Sequence, residues 1–184
     1  MASAFAHAAV GAALWPLFRT ARLPRRAWAA GALCAVLPDA DVLAFGLGVA
    51  YGDLFGHRGL THSLAFATVL AWLVLAAAYP ARRWPADRGR LWAYLALATA
   101  SHGVLDAMTT GGLGVAFLAP LENDRYFFPW RPIAVSPIGV RPFFTARGLA
   151  VLANETLWVG VPAGLLAWGA ARFRPVDGSR QQEE

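Results

Sequence analysis

Four histidines and three aspartates, whose side chains can bind metal ions or accept protons, lie in or beside long apolar stretches of this chain. They are His7, Asp39, Asp41, His57, His62, His102 and Asp106. A charged side chain in a membrane-length helix costs roughly 3 kcal/mol, so such groups usually face a cavity or one another. A single histidine there is more often a helix–helix hydrogen-bonding residue. The whole set, with all four histidines of the chain, predicts one buried metal site.

The spacing of the acidic residues supports a shared site. His102 and Asp106 are four residues apart, so a helix places both on one face, close enough to reach one ion. Asp39 and Asp41 are two apart and would point to nearly opposite sides of a continuous helix. Pro38 removes a backbone donor and disfavours helix before it, which predicts a break at 37–39 that lets both carboxylates line a cavity. Asp39 could instead cap the following helical half.

The segment His57-Arg-Gly-Leu-Thr-His62 predicts a turn followed by a helix. Gly59 precedes the expected helix start, and Thr61 is a candidate N-cap. Such a turn would let both histidines face inward.

The predicted ligand set is imidazole and carboxylate, without thiolate, because Cys34 is the only cysteine. This set suits a divalent transition metal, with zinc favoured and manganese or iron possible, and it is rich in histidine for magnesium or calcium. The candidates outnumber the ligands of one zinc. Either two ions bind, or several of these residues orient the imidazoles that bind one.

The elements that position these residues are apolar enough to be membrane helices. Hydrophobic residues make up 58% of the 184 residues and charged residues only 15%. The longest apolar runs cover 2–18, 27–50, 64–81, 91–108 and 148–171. We therefore predict an all-α integral membrane protein, with about five short transmembrane helices in a compact bundle and helix two broken near Pro38. The first run could instead be interfacial or re-entrant.

We expect a single membrane-embedded domain over residues 1–174, with a long outer loop at 109–146. Residues 175–184 are polar and are predicted to be a disordered tail. All 16 basic residues are arginines, and they cluster most densely beside 19–26, 82–90 and 172–180. The positive-inside rule places those clusters in the cytoplasm, together with the C-terminus. All four histidines then lie in the outer half of the membrane. The positive charge of the arginines is explained by the orientation of the chain in the membrane, so no direct nucleic-acid binding is expected.

Two polar features have more than one interpretation. The loop around 120–133 is dense in aromatic residues and prolines, which is typical of an interfacial belt. It could also be a lid in which Arg125 and Arg131 contact an anion. Glu155, inside the last apolar run, could enter the site, pair with an arginine, or lie neutral between helices.

The motifs in this order resemble the YdjM-like family. They are an early His7, then Leu37-Pro-Asp-Ala-Asp41, His57-Arg-Gly-Leu-Thr-His-Ser63, Ser101-His-Gly-Val-Leu-Asp-Ala-Met-Thr109, Phe128-Pro-Trp and Ser136-Pro137. Members of the family are described as membrane-bound, metal-dependent hydrolases and as LexA-binding inner-membrane proteins. The resemblance extends from about His7 to Gly139 and implies a bacterial inner-membrane location.

The expected function is metal-dependent hydrolysis of an ester or phosphoester at the outer membrane interface. A membrane lipid or lipid-linked molecule is the expected substrate, because the site lies at that depth. The predicted ligands are His7, Asp41, His57, His62, His102 and Asp106. Asp39 is either a further ligand or the general base, and Arg58 could clamp an anionic group of the substrate or simply extend to the interface.

Two other functions use the same residues. Intramembrane carboxylates, histidines and a broken helix also mark ion, proton or metal transporters. Against transport, the polar residues cluster on one side. A non-enzymatic membrane adaptor with a structural metal is the second alternative, and it predicts a closed set of ligands.

Overall fold

The computed structural model describes residues 1–173, and their regular elements are all helical. The predicted tail at 175–184 lies outside the described residues. The α-helices are α1 (Ala4–Ala13), α2 (Trp15–Phe18), α3 (Ala27–Val36), α4 (Leu64–Ala78), α5 (Arg88–Ala107), α6 (Val140–Phe143), α7 (Ala146–Glu155) and α8 (Val161–Arg172). The 3₁₀ segments are Leu37–Leu47 and Leu60–His62, and one π-helical turn covers Thr156–Gly160.

Two continuous helical stretches are long and apolar enough to cross a membrane. They are Ala27–Leu47, with 21 residues, and Ala146–Arg172, with 27 residues. Only 33% and 22% of their most apolar windows are buried, so most of their side chains lie on the protein surface. Ala4–Phe18 and Leu64–Ala78 are apolar but shorter. The all-helical prediction is confirmed for the described residues, whereas the count of five crossings stays a prediction.

Helices α1, α3 and α5 approach one another closely because glycines line their contacts. A Cβ atom on Gly31 would lie 2.0 Å from the Tyr94 hydroxyl oxygen, and one on Gly11 would lie 2.7 Å from the Gly31 carbonyl oxygen. The Tyr94 hydroxyl donates to the Gly11 carbonyl at 2.9 Å. Small residues at such contacts let helix backbones pack closely in membrane proteins. This packing sets α1, which carries His7, against α5, which carries His102.

The predicted break of the second helix takes the form of a tightened helix. α3 ends at Val36, the backbone continues as a 3₁₀ helix through Leu47, and Gly48, at φ 81°, ends it. With 3 residues per turn, residues two apart are separated by about 120°, less than on an α-helix. Asp39 and Asp41 are consequently both buried. Asp39 makes no capping hydrogen bond, so the capping alternative is wrong.

The predicted cap of the third helix is also wrong. Ser63, not Thr61, caps α4, and its hydroxyl accepts from the Phe66 backbone N–H at 3.0 Å. Thr61 lies inside the short 3₁₀ turn before α4, where its hydroxyl donates to Asp41 at 2.7 Å. Serine and threonine are both good N-caps, so the sequence does not distinguish Ser63 from Thr61. Thr61 contacts Asp41 instead, which leaves Ser63 as the cap.

The long outer loop folds back over the segment that carries His57. Isolated β-bridges join Thr109 to Ile133 and Val115 to Tyr126, and the Ala116 N–H donates to the Arg58 carbonyl at 3.0 Å. The loop at 109–146 thereby packs against the segment that carries His57 and Arg58.

Candidate metal centre

All seven predicted ligand or base residues lie in one buried cluster. His7, His57, His102 and Asp106 are fully buried, and His62 is 3% exposed. Asp39 and Asp41, on the 3₁₀ segment, are the most accessible members at 8% and 7%. The cluster joins residues 99 positions apart in the chain, which no local pattern specifies.

At its centre, two histidine nitrogens face each other. Nε2 of His62 and Nε2 of His102 are 3.0 Å apart. Nδ1 of His102 lies 2.7 Å from the carbonyl oxygen of Ala35, which can only accept, so Nδ1 carries the proton and Nε2 presents a lone pair. Nδ1 of His62 lies 3.0 Å from the Thr61 hydroxyl oxygen, whose own proton is donated to Asp41, and 3.2 Å from an Asp41 carboxylate oxygen. Both neighbouring oxygens therefore accept, which gives His62 the same tautomer. Two lone pairs at this distance repel unless a proton or a cation lies between them.

Carboxylates surround this histidine pair. Asp39 Oδ1 lies 3.3 Å from His102 Nε2, and Asp106 Oδ2 lies 3.6 Å from His62 Nε2. Ligand atoms of Asp39, His62, His102 and Asp106 all lie within 4.8 Å of one another. Ligands about 2.0–2.1 Å from a tetrahedral zinc are roughly 3.3 Å apart, so these separations fit one such ion.

His7 borders the same group. Its ring stacks on His102 with centroids 3.6 Å apart, and its Nε2 lies 3.5 Å from Asp106 Oδ1 and 4.0 Å from Asp39 Oδ2. Within residues 1–173, neither nitrogen of His7 and neither carboxylate oxygen of Asp39 has a hydrogen-bond partner. Buried polar atoms are normally paired, so the unpaired carboxylate oxygens and the unpaired imidazole of this group fit a cation.

Asp41 lies behind the histidine pair and is hydrogen-bonded. Its Oδ1 is 2.7 Å from His57 Nδ1, and its Oδ2 is 3.2 Å from the Arg58 backbone N–H and accepts from the Thr61 hydroxyl. Ligand atoms of Asp41, His57 and His62 also lie within 4.8 Å of one another, which is compatible with a second ion. The 2.7 Å contact is a hydrogen-bond distance, and carboxylates so placed orient metal-binding imidazoles. Nε2 of His57 has no hydrogen-bond partner among the described residues.

Arg58 faces inward and supports Asp106. It is fully buried, and its Nε lies 2.9 Å from Asp106 Oδ2. Its two terminal nitrogens donate to the Gly111 carbonyl at 2.8 Å and to the Thr109 hydroxyl at 2.9 Å. Its φ of 67° is rare for a residue with a side chain. Both terminal nitrogens are therefore hydrogen-bonded inside the protein. Nε and Asp106 Oδ2 form a buried ion pair by distance, although neither atom makes a well-aligned hydrogen bond.

The predicted anion contacts of the outer loop have other partners as well. Arg125 donates to the His57 carbonyl at 2.8 Å and to the Asp53 carbonyl at 3.0 Å. The Arg131 guanidinium lies 4.7 Å from the centre of the Phe127 ring. Tyr51 packs edge-on against His57 with ring centroids 5.2 Å apart, and burial raises the pKa of its phenol, which keeps it neutral.

Several residues that support the cluster were not predicted from the sequence. Thr61 and Thr109 stand next to predicted ligands or one turn from them, a proximity that could have identified them. Ser3 and the backbone N–H of Ala2, which donates to Asp106 Oδ1 at 2.7 Å, have no sequence signal.

An all-helical chain with long, exposed apolar stretches around a buried histidine–aspartate cluster defines a class of membrane proteins with a candidate metal centre. Comparison with known proteins agrees. The family described as YdjM inner membrane protein matches residues 1–175, and the chain belongs to this family, which confirms the resemblance. It is 42% identical over 175 residues to Inner membrane protein YbcI of Escherichia coli (strain K12), covering 95% of this chain and 99% of that protein. No solved structure matches the chain significantly.

Proposed function

We propose that this protein is a membrane-bound, metal-dependent hydrolase of an ester or phosphoester, lipid-linked substrates included, at the outer membrane interface. The observation that carries the proposal is the pair of histidine Nε2 lone pairs 3.0 Å apart between buried carboxylates. Uncompensated, this arrangement is unfavourable in a low-dielectric interior, and a divalent cation compensates it.

The residues that would hold the ion are His62, His102 and Asp106, with His7 beside them and Asp39 on the open side of the group. The mixture of imidazole and carboxylate favours zinc, with manganese or iron as the nearest alternatives. We propose one principal ion at this group, with Asp41 orienting His62. A second ion at Asp41 and His57 would have to replace their 2.7 Å hydrogen bond.

When bound, such an ion supplies an acidified water and a Lewis acid for a carbonyl or phosphoryl oxygen. Residues of the protein supply the remaining functions, which are metal coordination and proton transfer. Asp106, ion-paired with Arg58, is a ligand. Asp39 is 8% exposed and its oxygens have no hydrogen-bond partner in the described chain, so it is suited to accept a proton from a water at the open side.

The proposed location is the bacterial inner membrane, with about five crossings and a cytoplasmic C-terminus. Support comes from the family, the E. coli relative and the arginine distribution. Reporter fusions at the C-terminus and within the 109–146 loop test this topology, since the two reporters should lie on opposite sides. Reporters on the same side would refute it.

The decisive experiment is metal analysis of detergent-purified protein, comparing the wild type with His62→Ala and His102→Ala. Asp53→Asn is the matched control, because Asp53 is an exposed carboxylate outside the cluster, in the segment that precedes His57. We expect about one equivalent of a transition metal in the wild type and control, and none in the folded histidine variants. A folded wild type that binds no transition metal, even when supplied with it, would exclude the proposal.

Hydrolysis is then measured with the identified metal on phosphatidic acid, phosphatidylglycerol and p-nitrophenyl acetate in mixed micelles. Turnover that is lost in His102→Ala supports the enzyme. The near-complete burial of the cluster favours one alternative, a membrane adaptor with a structural metal. Stoichiometric metal without turnover on any of the three substrate classes would favour that adaptor.

A further inference from the structure

The first three residues of the chain are tied into the metal cluster. The Ala2 N–H donates to Asp106 Oδ1 at 2.7 Å, and the Ser136 N–H donates to the Met1 carbonyl at 2.9 Å. Ser3 begins α1 as its N-cap, with its hydroxyl accepting from the Ala6 N–H at 3.3 Å. His7 lies one turn further along, and its N–H donates to the Ser3 carbonyl at 3.1 Å. The position of Ser3 therefore sets both the start of the helix that carries His7 and the N–H that reaches Asp106.

Glu155 is what holds Ser3. Its Oε1 accepts from the Ser3 backbone N–H at 2.5 Å, and its Oε2 accepts from the Ser3 hydroxyl. Glu155 is only 4% exposed and is the last residue of α7, directly before the π-helical turn. In the described part of the chain it forms no ion pair with an arginine. A carboxylate in an apolar helix is costly, and here both of its oxygens are used on one residue of α1.

We propose that Glu155 is a positioning residue of the metal centre, acting through Ser3 on His7 and Asp106. The inference rests on the proposed metal centre and extends it to the C-terminal helix, which contributes no ligand. Glu155 accepts two hydrogen bonds from Ser3. The Ser3 carbonyl in turn accepts from the His7 N–H, and the preceding residue, Ala2, donates to Asp106. Groups that hydrogen-bond directly to a metal ligand typically change metal affinity by about 10–100-fold. Glu155 lies one contact further from the ligands, so a smaller effect is expected.

The test compares Glu155→Ala, Glu155→Gln and Ser3→Ala in full-length protein, with Asn154→Ala as the matched control. Asn154 is the adjacent residue of α7, and it bonds to the Ala134 N–H and the Pro132 carbonyl of the outer loop instead. Zn²⁺ affinity is measured by chelator competition, and the ligand field by the visible spectrum of the Co²⁺-loaded protein. Hydrogen exchange of residues 2–7 provides a readout that needs no metal.

We expect Glu155→Ala to weaken Zn²⁺ binding by up to about 10-fold, to shift the Co²⁺ spectrum and to speed exchange of residues 2–7. Ser3→Ala should show a smaller loss, since the backbone N–H still reaches Glu155. Glu155→Gln should largely rescue, because its amide oxygen accepts from the Ser3 N–H and its amide nitrogen donates to the hydroxyl. Asn154→Ala should leave all three readouts unchanged.

Unchanged affinity, spectrum and exchange in Glu155→Ala would overturn the inference while leaving the metal centre intact. An effect of equal size in Asn154→Ala would also overturn it, because both would then reflect general loosening of α7. A wild type that binds no Zn²⁺ or Co²⁺ defeats the proposed function. In that case exchange of residues 2–7 still decides whether Glu155 fixes the start of α1.

Discussion

Replacing Arg58 with methionine tests how the cluster holds its charge. Arg58 and Asp106 are both fully buried, and Nε lies 2.9 Å from Oδ2. Methionine fills part of the volume but leaves Asp106 without its cation. Removing one partner of a buried ion pair typically costs about 3–5 kcal/mol, because the other charge stays buried and uncompensated. We therefore expect Arg58→Met to be strongly destabilised when no metal is present.

The assay is thermal unfolding in detergent with EDTA. A loss of this size corresponds to a shift of roughly 6–20 °C for a chain of this length. Arg125→Met is the control, since Arg125 is partly exposed and donates only to carbonyl groups. Adding Asp106→Asn to Arg58→Met should recover much of the loss, because the unpaired charge is then gone. If Arg58→Met unfolds within about 2 °C of the wild type, or if Asp106→Asn gives no recovery, the Arg58–Asp106 ion pair does not contribute the expected stability.

Three further predictions follow from the same contacts. Asp41→Asn should weaken metal binding by about 10–100-fold, because Asp41 orients the His62 imidazole, while about one equivalent of metal still binds at saturation. A drop from two equivalents to one on metal analysis would instead assign Asp41 to a second ion. Gly31→Ala should lower the unfolding temperature, since a Cβ there would lie 2.0 Å from the Tyr94 hydroxyl oxygen. Adding Tyr94→Phe should not relieve the clash, because the ring carbon Cζ is also only 2.2 Å away. Recovery of the unfolding temperature in the double variant would contradict this. Chelation should lower the unfolding temperature of the wild type more than that of His102→Ala, because only the folded wild type binds the ion; equal shifts would argue against a metal in this cluster.

The sequence alone was enough to identify the residues of the cluster. Ionisable side chains in apolar helices are costly, so they persist only where something compensates them, and this makes them visible without a structure. The same reasoning predicted the helical membrane class and the break at Pro38. Asp39, Asp41, His57 and His102 were all selected in this way.

The tertiary structure alone decided which of these residues contact one another. Whether Arg58 faces a substrate or Asp106 depends on the turn at φ 67° and on the 109–111 segment that receives its guanidinium. The link between Ser3 and Glu155 joins residues 152 positions apart, and hydrogen bonds at that separation have no local periodicity to reveal them. The sequence shows which ionisable residues lie in apolar segments, where burying their charge is costly. Only the packed chain shows which group compensates it, because that depends on the distances between side chains brought together by folding.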